Sequence, residues 1–307
     1  MVVSAGDVAV FEQSRGRLEA IAYRLLGSAG DAEDAVQDTF LRWQAADRES
    51  IETPVAWLTT VLTNICRNQL TSARARRETY VGQWLPEPLP AGDRMLGPAE
   101  TAEQRDAVSM AVLTVLERLS PNERVVFVLR EAFGFRHAEI AAMLELSEAN
   151  CQQIYRRARE HVSAAGRVRE FPDAAAARRV AEEFLAATMS GQVEPLVRLL
   201  AADAVNIADG GGHFPARRTP MVGALMIARF LRGLVQPGMA ERFLPAGAEV
   251  GMHAAVVNAG PAIVITAAGR VAAVVCLSVA GDGRIAALHV QANPEKLAHL
   301  NREWSRS

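Results

Sequence analysis

The chain has 307 residues, half of them apolar, with 22% charged and a formal net charge of −2. That composition supports one or two sizeable cores and excludes a polybasic nucleic-acid binder, though not a locally basic one. Three cysteines (Cys66, Cys151, Cys276) form no CxxC or Cys/His cluster, which argues against a disulfide scaffold and a structural zinc site and fits a reducing cytoplasm.

Charge is unevenly spread. Residues 1–170 carry 20 arginines against 24 acids, net −4, and residues 171–307 are net +2. Any nucleic-acid footprint must therefore be a patterned patch. The N-terminus carries no signal-peptide pattern, and the longest apolar run, Val271–Leu277, is too short to span a bilayer.

Residues 7–78 read as helices. In 31–43, Ala32, Ala35, Val36, Thr39, Phe40 and Trp43 recur at helical spacing and form a buried stripe. At about 100° per residue, Asp31, Asp34, Gln37 and Asp38 fall on the other side with Leu41 among them. Such a face is either a solvated surface or a dock for a basic helical partner. Thr53 and Pro54 start the next helix, with Leu58, Val61, Leu62 and Ile65 inward. Thr60, Thr63, Arg67, Thr71 and Arg74 are expected outward, and Asn64 and Asn68 lie at the margin. The stretch 67–77 holds Arg67, Arg74, Arg76 and Arg77 without an acid, suited to phosphates. Trp57 is either core or a stacking platform.

Residues 80–105, rich in proline and glycine, read as a linker. Residues 106–166 are helical again. Val108, Ala111, Val112, Val115, Leu116 and Leu119 make a buried stripe, and Ser120-Pro121-Asn122-Glu123 is a capping-box start. A helix to Phe133, a short helix 137–144, a turn and a Ser147-capped helix to about His161 give a helix-turn-helix. Cys151, Ile154, Tyr155, Ala158 and Val162 face inward. Gln152, Gln153 and Arg156 are the candidate base readers, because glutamine pairs with adenine and arginine with guanine; Arg157 and Arg159 suit phosphates or ion pairs.

From 172 the character changes. Helices at about 173–190, 192–201 and 219–235 give way to strands at 242–253, 254–257, 262–267, 270–279 and 284–290, punctuated by Gly260-Pro261, Ala268-Gly269 and Gly281-Asp282-Gly283. The expected fold class is multidomain: two all-α domains and a C-terminal α+β domain. Gly210-Gly211-Gly212 lacks the Lys-Ser/Thr of a phosphate loop and reads as a contact loop. Asp209, His213, His253 and His289 are the polar candidates should the C-terminal domain be an enzyme.

Together these segments resemble the sigma-70 family, and within it the extracytoplasmic-function (ECF) type. The run DAEDAVQDTFLRW (31–43) is similar to its core-polymerase-binding helix, AWLTTVLTNICRNQLTSARARRE (56–78) to its −10-reading part, and 116–160 to its −35-reading domain. WLPEPL (84–89), DGGG (209–212) and NPEKL (293–297) resemble motifs of the subgroup with a fused SnoaL-like extension; His213 stands where that subgroup has lysine. The resemblance implies region 2 at 1–79, a linker at 80–105, region 4 at 106–166 and a SnoaL-like cone at 172–307. It implies RNA polymerase core (the clamp helices) bound through Asp31, Asp34, Gln37, Asp38 and Leu41. It implies promoter DNA bound through Asn64, Arg67, Asn68, Arg74, Arg76 and Arg77 at −10 and through Gln152, Gln153, Arg156 and Arg157 at −35. Trp84, Asp209, Gly210, Gly211, Gly212, Asn293, Pro294 and Lys296 would be regulatory, acting in cis without a separate anti-sigma factor. No enzyme activity, cofactor, metal or membrane partner is implied, and a small-molecule ligand of the C-terminal domain stays open. The rival readings are a DNA-tethered enzyme and a ligand-sensing helix-turn-helix regulator.

Overall fold

The computed structural model describes residues 5–78, 80, 82–97, 108–163, 171, 173–214, 216–236, 238–239 and 247–305. The chain divides into two units: Met1–Glu78, Gly92–Val108 and Val115–Ala165 in the first, and Thr79–Ala91, Ser109–Thr114 and Gly166–Ser307 in the second.

The first unit is helical. Helix α1 (Ala5–Leu26) buries Phe11, Leu18, Ile21 and Leu25. Ser28 then caps α2 (Ala29–Ala45), its hydroxyl accepting from the Asp31 amide at 3.1 Å. Ala32, Ala35, Val36, Thr39 and Trp43 of α2 are buried as their spacing predicts, and Phe40 is half-buried against Phe11, ring centroids 4.7 Å apart. Helix α3 (Pro54–Glu78) buries Leu58, Leu62 and Ile65. Trp57 packs on Trp43 at 5.6 Å, so it closes the edge of the core. Thr63, expected outward, is fully buried. The helix meets neighbours on more than one side, which a single apolar stripe does not reveal.

Helix α4 (Met110–Leu116) buries Met110, Leu113 and Leu116, whereas Ala111, Val112 and Val115 are only half-buried; the stripe is rotated from the expected one. Met110 explains the rotation, since it packs into the apolar cluster of the C-terminal sheet. Ser120 and Glu123 form the full capping box at the start of α5 (Pro121–Phe133), which Gly134 ends in the left-handed region. Helix α6 (His137–Leu144) ends on Glu145, also left-handed at φ 57°, and α7 (Glu148–Ser163) starts where the Ser147 hydroxyl accepts from the Asn150 amide.

The two helical groups, expected as separate domains, pack against each other in this first unit. Two buried arginines mark the seam. Arg124 pairs with Glu117 at 2.9 Å and donates to the Arg24 carbonyl at 3.4 Å, while the Arg24 guanidinium lies over Phe133 at 5.1 Å. Arg24 also donates to the carbonyls of Ala20 and Leu96, and burial lowers its pKa to about 10.

The second unit is an α+β fold, as its alternating runs predict. Asp173 caps α8 (Ala174–Met189), followed by α9 (Val193–Leu199), β1 (Leu200–Asp209), β2 (Met221–Val222), α10 (Ala224–Leu234), β3 (Val250–Val257), β4 (Gly260–Ala267), β5 (Arg270–Val279), β6 (Ile285–Gln291) and α11 (Ala298–Trp304). The sheet order is β2-β1-β6-β5-β4-β3, antiparallel except for β1 beside β6. The runs expected as strands 242–253 and 254–257 form one strand, β3; residues 240–246 lie outside the described ones. The first hairpin turns on Asn258 and Ala259, both with positive φ, and not on Gly260-Pro261, which begin β4.

One sheet face packs Leu277 and Leu288 against Phe184, Leu196 and Ile227 of the helices. The other packs Val264, Val274 and Cys276 with Leu297 and Leu300. Among the described residues no helix is long and apolar enough to cross a membrane.

Candidate functional site

The motifs at 84–89, 209–212 and 293–297 meet in the second unit around one buried carboxylate. Asp209 ends β1 and is wholly inaccessible to solvent. A buried carboxylate needs donors on every lone pair. Its Oδ1 accepts from the Tyr80 hydroxyl at 2.6 Å and the Gly211 amide at 3.1 Å. Its Oδ2 accepts from Lys296 Nζ at 2.6 Å, the Leu85 amide at 2.9 Å and Gln291 Nε2 at 3.4 Å.

Lys296 is satisfied in the same way. It donates to the Leu85 carbonyl at 2.8 Å, and its ammonium sits 3.2 Å from the Trp84 ring centroid and 4.8 Å from that of Tyr80. A desolvated cation over an indole gains about 2 kcal/mol beyond its ion pair. Burial, then the hydrogen bond to the Asp209 carboxylate, pushes the Tyr80 phenol up, so it stays a donor.

Asn293 and Gln291 close the ring. Asn293 Nδ2 donates to the Tyr80 oxygen at 2.9 Å, while its Oδ1 accepts from the Glu295 amide and opens the NPEKL turn. Gln291 Nε2 donates to the Leu85 and Pro86 carbonyls at 3.3 and 3.2 Å. Pro294 lies in that turn.

The glycines have a steric reason. Gly211 sits at φ +60°, and a Cβ there would lie 2.3 Å from Cγ of Asn293; a Cβ at Gly210 would lie 2.2 Å from the Phe214 carbonyl oxygen. Gly212, at φ 79°, completes the turn. Gly211→Ala is therefore expected to destabilise the unit by about 1–3 kcal/mol. Gly233→Ala in α10, where a Cβ meets nothing within 4 Å, is expected to be neutral or stabilising by up to about 1 kcal/mol. Denaturant unfolding of both variants checks the contrast.

Farther along, the segment 82–91 is laid on the sheet. Leu89 exchanges hydrogen bonds with Asn258, its amide donating to Oδ1 at 3.0 Å and its carbonyl accepting from the Asn258 amide at 2.9 Å. Pro90 bridges Val257, and the Ala91 amide donates to the Val256 carbonyl. Leu85 and Leu89 are fully buried. The stretch expected as a free linker is thus, through Ala91, an added edge of the C-terminal sheet. Tyr80, Gln291 and Asn258 were not singled out from sequence; only their nearness to the motifs could have flagged them.

The remaining polar candidates stay apart from this ring. His213 is exposed. His289 pairs in register with Cys276, and burial lowers its pKa to about 4, leaving it a neutral partner of Ser278. His253 lies beside Trp304 and Thr266. Asp209 has its lone pairs occupied, so the arrangement offers no general acid or base. Among the described residues no three His, Cys, Asp or Glu could hold a metal.

In the first unit, Asp31, Asp34, Gln37, Asp38 and Leu41 are all exposed on one side of α2, Leu41 at 52%. Gln152, Gln153, Arg156 and Arg157 are exposed along α7. On α3, Asn68 is exposed, Arg67 is half-exposed, and Asn64 donates to the Met143 carbonyl of α6 at 3.4 Å. The side chains of Arg74, Arg76 and Arg77 lie outside the described residues, although their backbone continues α3.

Residues 10–76 match Sigma-70 region 2 and residues 109–162 match Sigma-70, region 4. The chain is 36% identical over 295 residues to the ECF RNA polymerase sigma factor SigJ of Mycobacterium tuberculosis, covering 94% of this chain and 93% of that protein. It is 30% identical over 307 residues to the probable ECF RNA polymerase sigma factor SigI of the same organism, covering 96% of each. The crystal structure of SigJ superposes with a TM-score of 0.72 at 32% identity, over 95% of this chain and 98% of that one. The chain belongs to the extracytoplasmic-function sigma factors of the sigma-70 family: it is a transcription initiation factor that binds RNA polymerase core and promoter DNA, and not an enzyme.

Proposed function

We propose that this sigma factor is held in check by its own C-terminal unit, which clamps the segment joining region 2 to region 4 and so needs no separate anti-sigma factor. The observation that carries the reading is the Asp209 ring, in which buried charge and hydrogen bonds are spent on residues 80–86. Residues 80–91 connect the two DNA-reading regions covalently. Fixing them on the sheet limits the separations those regions can reach, and release restores the reach of a free linker. The bond from Asn64 to the Met143 carbonyl supports the same picture, since a residue assigned to the −10 element is engaged inside the protein.

In the released state the acidic face of α2 docks on the polymerase clamp helices, α7 enters the −35 major groove, and Asn64, Arg67 and Asn68 capture −10 bases. Extruding a base costs a few kcal/mol, which Arg74, Arg76 and Arg77 offset by holding phosphates. These acts take place in the cytoplasm, where the polymerase works.

The test of the DNA assignment is run-off transcription by reconstituted holoenzyme. Arg156→Ala is expected to cost about tenfold at the preferred promoter and to relax discrimination at one −35 position. Arg157→Ala is expected to weaken all promoters alike and to lower the salt dependence. Unchanged discrimination with Arg156→Ala rejects base reading by α7.

A further inference from the structure

The helix-covered face of the C-terminal sheet encloses a cavity of about 230 Å³, walled mainly by Leu, Ile, Val, Phe and Met side chains of α8, α10 and strands β2 to β6, with β1 adding Asn206, Ala208 and Asp209. Its polar lining is sparse, and most of it is committed or exposed. The Thr188 hydroxyl donates to the Phe184 carbonyl, and Asp209 spends its carboxylate on the 80–86 segment. Arg217 and Thr219 are exposed to solvent.

Asn206 differs. It stands on β1, in register with Leu288 and Met221 of the helix-covered face, and is 7% exposed, yet its Oδ1 has no hydrogen-bond partner. An orphaned acceptor in an apolar chamber costs about 1–3 kcal/mol. It is retained at that cost where something supplies the donor.

We infer that this cavity is a binding site for a small neutral molecule, apolar over most of its surface and carrying one hydroxyl that donates to Asn206. With no uncommitted buried charge among the described lining residues, a charge held inside the cavity would go unpaired, so the buried part of the ligand is neutral. The size follows from volume. An apolar cavity of about 150 Å³ takes up benzene, so 230 Å³ suits a fused bicycle. The inference goes beyond transcription initiation and does not depend on cis regulation, because it is tested by binding to the full chain without polymerase.

Equilibrium dialysis of the full-length protein against 2-naphthol, 2-methoxynaphthalene and naphthalene provides the test. 2-Naphthol is expected to bind about tenfold tighter than either analogue, the hydroxyl donor being the difference. Asn206→Leu is expected to bring the three affinities together while retaining naphthalene, and Ala273→Phe, which fills the cavity, to abolish binding of all three. The wild-type comparison decides the matter even if a variant fails to fold. No binding of any probe, or 2-naphthol binding no better than naphthalene, overturns the inference.

Discussion

Lys296→Met is expected to destabilise the C-terminal unit by about 3–5 kcal/mol and to release the segment 80–91. The methionine matches the lysine stem in length, so most of the buried volume is kept while the ammonium, its ion pair and its contact with the Trp84 ring are lost. What remains is a fully buried Asp209 carboxylate deprived of its ion-pair partner, which lies 2.6 Å away in the intact protein. Removing one partner of a buried pair costs far more than the pair contributes, because the survivor keeps its desolvation penalty. The double variant Asp209→Asn, Lys296→Met is expected to lose less than the sum of the single changes, since no unpaired charge is left. Denaturant unfolding gives the free energies, and hydrogen exchange at the Leu85 and Leu89 amides reports the segment itself. Protection of both amides in Lys296→Met equal to wild type would show that the ring does not hold the segment.

The second large effect belongs to α2. Reversing Asp34 and Asp38 to arginine is expected to weaken core-polymerase binding at least 100-fold at low salt. Both side chains are exposed, so the change in stability should stay within about 0.5 kcal/mol. Like charges brought together across an interface cost several kcal/mol, and that cost falls with added salt. Leu41 on the same face is exposed and is left intact by the charge reversal. Titration of the variant with core polymerase, alongside circular dichroism, separates docking from folding. Wild-type affinity in a folded variant would remove α2 from the docking surface.

Much of the fold was legible because local rules and global packing agreed. The α2 stripe, the Ser120–Glu123 box and the Ser147 cap each satisfy a backbone or side-chain need that short sequence displays directly. The failures are of another kind. Thr63 is buried by a second packing partner of α3, and Met110 by the C-terminal sheet; both contacts are remote in sequence. The Asn258-Ala259 turn was missed because Gly-Pro next to it is the stronger turn signal, although asparagine tolerates positive φ.

The ring around Asp209 was half legible. Asp209, Lys296, Trp84 and the glycines came from motif resemblance, but nothing in their spacing said that one carboxylate would gather them. The proline-rich segment misled in an instructive way. Prolines with few polar side chains read as a free linker, yet Leu85, Pro86, Pro88 and Leu89 are all buried and Glu87 between them is half-buried, so the prolines themselves are packing surface. Their backbone polar groups are satisfied by residues more than a hundred positions away.

Run-off transcription by polymerase reconstituted with wild-type protein or with Asp209→Asn tests whether the clamped segment restrains initiation. An amide at 209 keeps the shape but drops the charge that pairs with Lys296, and whichever way it turns its NH2 meets a donor, the Gly211 amide on one side or Lys296, the Leu85 amide and Gln291 on the other, so the segment should come free. At equal core occupancy, more transcript is expected from Asp209→Asn than from wild type. Equal transcript from the two, with the segment demonstrably released, would contradict that restraint.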